Sequence, residues 1–516
     1  MASSPDWKTK VAERQKVLAD QIPEAWQVVY PSPEELPCVL GPEGDEIISS
    51  VLTPLEVAIT TTSVATLLQN LREQTWTAEQ TMVAFCKRAA LAQQALECAT
   101  DLLFDEALAA ARALDQHLAT TGKPKGPLHG LPMSVKDAFD IKGHLTSSGL
   151  VSRLDQGQAT DDALLVSILR GAGAIPFVKT NVSQGCLLVE SINNIYGTVR
   201  NPHNRLLSAG GSSGGEGALV AFRGSPFGLG ADGGGSLRIP AAWNGLYTLK
   251  PTASRIPGPS RGVGYSTTNS GNHGPFTHDI ASLRLFCKVV LAAEPWLRDP
   301  FIVPMPWNAS FSAPPVRPLR LGLLFDDSIV NLSPPMRRCI LEAAERLRAA
   351  GHAIVDLDSN WSALYHKTAG IAFSMYTEEG GIAIREELGK SGEPLVPRVC
   401  TGWSEQPPAS PMAIWENHRA RNDVKREFLE RFQQLSLDAV VTAPMPHPAP
   451  PHGEYITSAL CAVYNALDVP ACVVPFGSVD AVKDVAPDEF YTREPYLDMP
   501  KFPYDRYDTD MQKLCK

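Results

Sequence analysis

Residues Ser208–Pro240 read SAGGSSGGEGALVAFRGSPFGLGADGGGSLRIP, and the fold turns on what this stretch is. About every third residue in it is glycine. A flexible linker of that glycine content would be monotonous in Gly and Ser, whereas Leu219, Val220, Phe222, Phe227 and Arg238 are spaced through this one. Glycine at such density instead lets the backbone take positive φ and approach another group closely. The stretch therefore reads as a built site rather than a tether.

Two generic strings occur in it, and both are weak. Gly228-x-Gly230-x-x-Gly233 matches a dinucleotide fingerprint, but Pro240 and the extra glycines break any helix that would open there. Gly210-Gly211-Ser212-Ser213-Gly214 matches a nucleophile elbow, but the residues before it supply only the pair Leu206-Leu207 where a hydrophobic strand is needed. What remains is two glycine-flanked serines, Ser212 and Ser236. Gly233, Gly234 and Gly235 precede Ser236, so bare N–H groups can converge beside its hydroxyl as an oxyanion hole.

A serine nucleophile also needs a base. The nearby histidines, His129 and His203, have no evident carboxylate partner in sequence. A buried lysine is the alternative, because desolvation lowers its pKa until it is neutral and can accept a proton. Upstream, GPLHGLPMSVKDAFDIKG (126–143) sets Lys136 after Met133-Ser134-Val135, at the end of a short buried strand. Taken alone, such a lysine is far more often a solvated surface charge, and its surroundings decide.

Those surroundings resemble the amidase signature family. The run GGSSGGEGALVAFRGSPFGLGADGGGSLRIPAAWNGLYTLKPT is similar to that family's hallmark, and Leu131–Asp137 to its lysine motif. The likeness extends to FVKTNVSQGCLLVESINNIYGTVRNPHN (177–204), and among subgroups it is greatest to fungal acetamidases, with fatty acid amide hydrolases next. The resemblance implies a single large α/β domain, a mixed twisted sheet covered by helices on both faces. It implies a Ser–cis-Ser–Lys triad in which Ser236 attacks, Ser212 on a cis peptide relays the proton, and Lys136 is the base. It implies an oxyanion hole from residues 233–236 and bracing by Ser213, Asp232 and Arg238, with no metal or organic cofactor. The substrate expected is a small carboxamide, hydrolysed through an acyl-enzyme. Acyl transfer by the same triad and a weakly active, partner-binding subunit stay open as alternatives.

Two departures from the family pattern stand out. Residues 231–233 are Ala-Asp-Gly where the family usually has Thr-Asp and a larger apolar residue, so the extra glycine is expected to loosen the loop. After Val469–Pro475 the chain runs into EFYTREPYLDMPKFPYDRYDTDMQKLCK, which reads as coil, with a homodimer contact as one role for it. Loss of the family's last strand is expected to weaken the sheet or open the pocket. The walls of that pocket are expected from Cys186–Asn194, Phe373–Tyr376 and Tyr455.

Away from the site, strand and helix alternate. Asp161–Arg170 reads as a helix and Ala174–Lys179 as a strand. Leu319–Phe325, Ala353–Leu357 and Ala439–Thr442 read as strands, with a helix over Pro335–Ala350. By itself this alternation predicts a mostly parallel, doubly covered sheet. Residues 79–97 and 104–119 read as helices, and another resumes at Ser63, a good N-cap, after an N-terminal amphipathic helix and a Pro-rich link. We divide the chain into an arm (1–60), a hydrolase domain (61–480) and a divergent tail (481–516).

Bulk properties exclude other classes. A formal net charge of -10 suits no nucleic acid partner. The N-terminus is too evenly charged for a signal peptide, and no apolar run is long enough for a membrane span, so a cytoplasmic location is expected. The ten cysteines are scattered without a Cys-x-x-Cys pair, which predicts reduced, mostly buried thiols.

Overall fold

Lys136 closes a strand that is buried from end to end and lies inside a seven-stranded sheet. The computed structural model describes residues 6–258, 271–313, 315–325, 330, 332–397, 407–455, 457–480 and 482–485. Nearly all of the expected tail, 481–516, lies outside them. Ten of the described strands carry the architecture. They are β1 (Ala99–Leu102), β2 (Pro132–Lys136), β3 (Ile175–Thr180), β4 (Gly228–Asp232), β5 (Tyr247–Lys250), β6 (Asn272–Thr277), β7 (Arg320–Leu323), β8 (Ala353–Asp356), β9 (Ala439–Val441) and β10 (Ala471–Val473).

The large sheet has the order β1-β3-β2-β4-β6-β5-β10. Only β2 with β3 and β2 with β4 are parallel; the other neighbours are antiparallel. This corrects the expectation of a mostly parallel sheet, and the architecture is a mixed α/β one. The parallel pattern holds in a separate three-stranded sheet, β8-β7-β9, built from the C-terminal alternation. The reason is local. GLGAD and NHGPFT, which pair antiparallel with each other, carry glycine or proline and lack the alternation by which strands are read. β10 pairs with β5 at the sheet edge; the segment after it, where the family's last strand was expected to be lost, lies mostly outside the described residues.

Helices cover this sheet by matching apolar faces to it. The helix Ala78–Leu96 is rich in alanine and almost wholly buried, and it opens with a reciprocal capping box between Thr77 and Gln80. The helix Gly214–Ala221 is buried at every residue, and its glycines let it sit against neighbouring backbone. A Cβ added to Gly215 would lie 2.5 Å from both the Asn181 and Cys98 carbonyl oxygens. Ser63 caps its helix as expected, its hydroxyl accepting the Thr66 N–H at 3.2 Å. Helices resume before it, however, at Pro42–Val51 and Pro54–Thr61, where proline at the first position marks the start. The N-terminal helix Trp7–Asp20 buries Val11 and Leu18, and its Arg14 donates to the Thr100 carbonyl at 2.6 Å.

Among the described residues, no helix is long and apolar enough to cross a membrane. Of the described cysteines, Cys86, Cys98, Cys287 and Cys461 are buried, while Cys472 is exposed, so burial is less general than expected.

Candidate active site

β2 delivers Lys136 into the interior, where its side chain is among the largest fully buried ones. The Nζ donates to Ser212 Oγ at 2.7 Å and to Ser213 Oγ at 2.9 Å. Burial pushes the Lys136 ammonium below its ordinary range. The Gly211–Ser212 peptide is cis. Both serines stand at the entrance to the helix Gly214–Ala221, and Ser213 Oγ also donates to the Ala231 carbonyl at 3.2 Å.

A strand, a turn and a helix do surround Ser212, since Asn204–Ser208 is extended. That strand belongs to a small two-stranded ladder rather than to the large sheet, and the side chain beside Ser212 is a lysine. The elbow therefore fails on the sheet its strand belongs to and on the lysine beside Ser212, not on a missing strand as expected from the sequence. The dinucleotide string fails as well, because Gly228–Asp232 is itself the strand β4. His129 accepts the Lys125 N–H, and His203 Nε2 faces the Asn244 carbonyl at 3.2 Å, so both serve local backbone.

Ser236 occupies the turn between β4 and the helix Arg238–Trp243. Asp232, wholly buried, organises that turn from within. Its Oδ1 accepts the Gly235 N–H at 2.8 Å and its Oδ2 accepts the Leu237 N–H at 3.2 Å. Arg238 closes a bidentate pair, Nε to Oδ2 and Nη2 to Oδ1, each at 2.9 Å. Burial alone would push the Asp232 carboxyl up; the adjacent guanidinium outweighs it and holds the carboxyl well below its usual range. Arg238 reaches on to the Cys461 carbonyl at 2.8 Å and to Asn465 Oδ1 at 2.5 Å, both on the helix Ala459–Ala466.

Because Asp232 holds the Gly235 amide, the oxyanion expectation narrows to the other N–H groups of 233–236. The turn is also held from outside: Tyr376 Oη donates to the Gly233 carbonyl at 2.7 Å. A Cβ on Gly234 would lie 2.8 Å from that same oxygen. The extra glycine at 233 thus sits under a tyrosine that anchors it, against the looseness expected from sequence. Tyr376 falls in a segment expected to wall the pocket. The segment Cys186–Asn194, also expected as a wall, backs the Ser212 turn. The Gly214 N–H donates to Ser191 Oγ at 2.8 Å, and a Cβ on Gly211 would meet the Glu190 backbone at 2.7 Å. Tyr455 packs on the clusters around Leu188 and Met445.

Sequence reasoning missed Glu216, Cys461 and Asn465. A lone acid in an apolar glycine-rich helix was the available signal for Glu216. The other two lie over two hundred residues downstream of the turn they brace, with no motif of their own. Among the described residues, no group of three or more His, Cys, Asp and Glu side chains is arranged to hold a metal.

The amidase family model matches residues 80–500, which reaches into the segment set apart as a tail. An acetamidase of Emericella nidulans is 36% identical over 493 residues, covering 92% of this chain and 87% of that protein. An acetamidase of Aspergillus oryzae is 33% identical over 523 residues, covering 98% and 94%. Among solved structures, a fatty acid amide hydrolase has a TM-score of 0.90 at 29% identity, over 99% of this chain and 90% of that one. With a family match along most of its length and a buried lysine hydrogen-bonded to a serine in the glycine-rich signature, the chain belongs to the amidase signature family and is an amidase.

Proposed function

We propose that the chain hydrolyses a short aliphatic carboxamide to carboxylate and ammonia or amine through an acyl-enzyme on Ser236. The observation that carries this reading is the buried Lys136 amine 2.7 Å from the hydroxyl of Ser212. A lysine so desolvated is poised to be neutral, and a neutral amine accepts a proton. In this scheme Ser236 Oγ attacks the amide carbon while its proton passes to Ser212, whose own proton passes to Lys136. Amide donors of the turn 233–236 stabilise the tetrahedral oxyanion. The relay then runs in reverse and protonates the leaving nitrogen, and water repeats the cycle on the ester. The acetamidase relatives favour a small acyl group.

Ser236→Ala and Lys136→Ala should each abolish ammonia release from a panel of graded acyl amides while the protein stays folded. A fluorophosphonate should label the wild type at Ser236. Full turnover in Ser236→Ala would remove the scheme.

A further inference from the structure

The helix Gly214–Ala221 carries a single acid, Glu216, and buries it completely. Ionised carboxylates so placed are normally paired with a cation, yet among the described residues no ion pair involves Glu216. Its contacts are hydroxyls. Ser134 Oγ lies 2.6 Å from Oε2, and Thr180 Oγ1 lies 2.8 Å from Oε1. Ser134 Oγ is also 3.4 Å from the Phe227 carbonyl, so this hydroxyl can donate there while accepting from a protonated carboxyl. The site is shaped for the acid: a Cβ on Gly228 would lie 2.1 Å from Oε2.

Ser134 and Lys136 are two residues apart on β2, so their side chains leave the same face of the sheet. The Glu216 carboxyl and the Lys136 amine therefore share one layer, and Lys136 is the cation that acts on Glu216. Burial pushes Glu216 up to about 8 and pushes Lys136 down, so the two ranges approach. Among the described residues, the other titratable groups around the pair are Cys98 beside Glu216, and Cys186, Asp232 and His273 around Lys136. Burial raises both thiols and lowers His273 to about 4, leaving each uncharged, and Asp232 is paired with Arg238.

We infer that Glu216 is a positioning residue for the proton on Lys136, the two buried groups holding one proton between them. The proton lies either on the acid, leaving the amine free, or on the amine, leaving a carboxylate. Both arrangements have zero net charge, so moving between them draws no proton from solvent. Only the first accepts a proton from the serine relay. Glu216 thereby sets the fraction of Lys136 that is ready to act, an inference that rests on the proposed role of Lys136 as base.

The test is the pH profile of kcat/KM for acetamide hydrolysis by the full-length wild type, Glu216→Gln and Lys136→Ala, with folding checked by circular dichroism. Removing the carboxylate removes the charge that favours the ammonium. The acid limb should therefore move to lower pH by about one unit in Glu216→Gln. The plateau kcat should fall far less than in Lys136→Ala. An unmoved limb in folded Glu216→Gln overturns the inference. Should that variant not fold, Ser134→Ala carries the test. It strips one donor from the carboxylate, so the limb should move in the same direction by a smaller step, and an unmoved limb is again fatal. Full activity in Lys136→Ala is a different outcome and overturns the underlying reading instead.

Discussion

Asp232→Asn is the most informative substitution in the turn, because it keeps shape and removes one charge. Each carboxylate oxygen faces three donors. Oδ1 faces the Gly235 N–H, Arg238 Nη2 and Asn465 Nδ2; Oδ2 faces the N–H groups of Leu237 and Arg238 and the Arg238 Nε. Whichever way the asparagine turns, its NH₂ group confronts three N–H donors, and the buried guanidinium of Arg238 loses its counter-charge. Hydrogen bonds to a charged group contribute about 1.5–3 kcal/mol each, and they do not add. Breaking one side of a buried ion pair costs about 3–5 kcal/mol, and we expect a stability loss in that range. The measurement is urea unfolding followed by tryptophan fluorescence, together with kcat and KM for acetamide. The unfolding midpoint should fall, and kcat should drop more than KM changes, because the Gly235 amide is released beside Ser236, the nucleophile we propose. Arg238→Met in the same background should recover part of the stability by removing the orphaned charge. A change within about 0.5 kcal/mol, as for an ordinary surface substitution, would refute this account of the turn.

Gly235→Ala should destabilise by about 1–3 kcal/mol and suppress turnover. Its φ is +123° and an added Cβ would lie 2.6 Å from Ile239 Cδ1 and 2.9 Å from Cys461 Cβ; thermal unfolding and ammonia release check this together. The pH dependence has a defined sign. Lys136 is pushed down by burial, so the neutral amine persists to lower pH than for a free lysine, and kcat/KM should fall only as the pH drops through that depressed value. Lys136→Arg, which stays charged, should be inactive across the whole profile.

Much of the site's geometry was legible because it is local. Ser212, Ser213 and Lys136 come from two short motifs whose glycine and apolar context marks them as buried, and the structure brings all three within hydrogen-bond distance. Asp232 and Arg238 are six residues apart and pair as a short turn allows. The parallel unit β8-β7-β9 was readable from its alternation with helices. The rest of the large sheet was not, since strands such as β4 owe their pairing to neighbours and not to β-branched side chains. Cys461 and Asn465 act through contacts across sequence distance, which no local pattern encodes.

The helix Ala459–Ala466 supplies two of the acceptors for Arg238, and it is synthesised long after the residues it steadies. On a ribosome, Lys136, Ser212 and Ser236 leave the exit tunnel while that helix is still to be translated. Domains generally fold as units, and the clamp on the serine turn cannot close until that helix has emerged. Completion of the serine turn is thereby tied to translation of a segment more than two hundred residues further along.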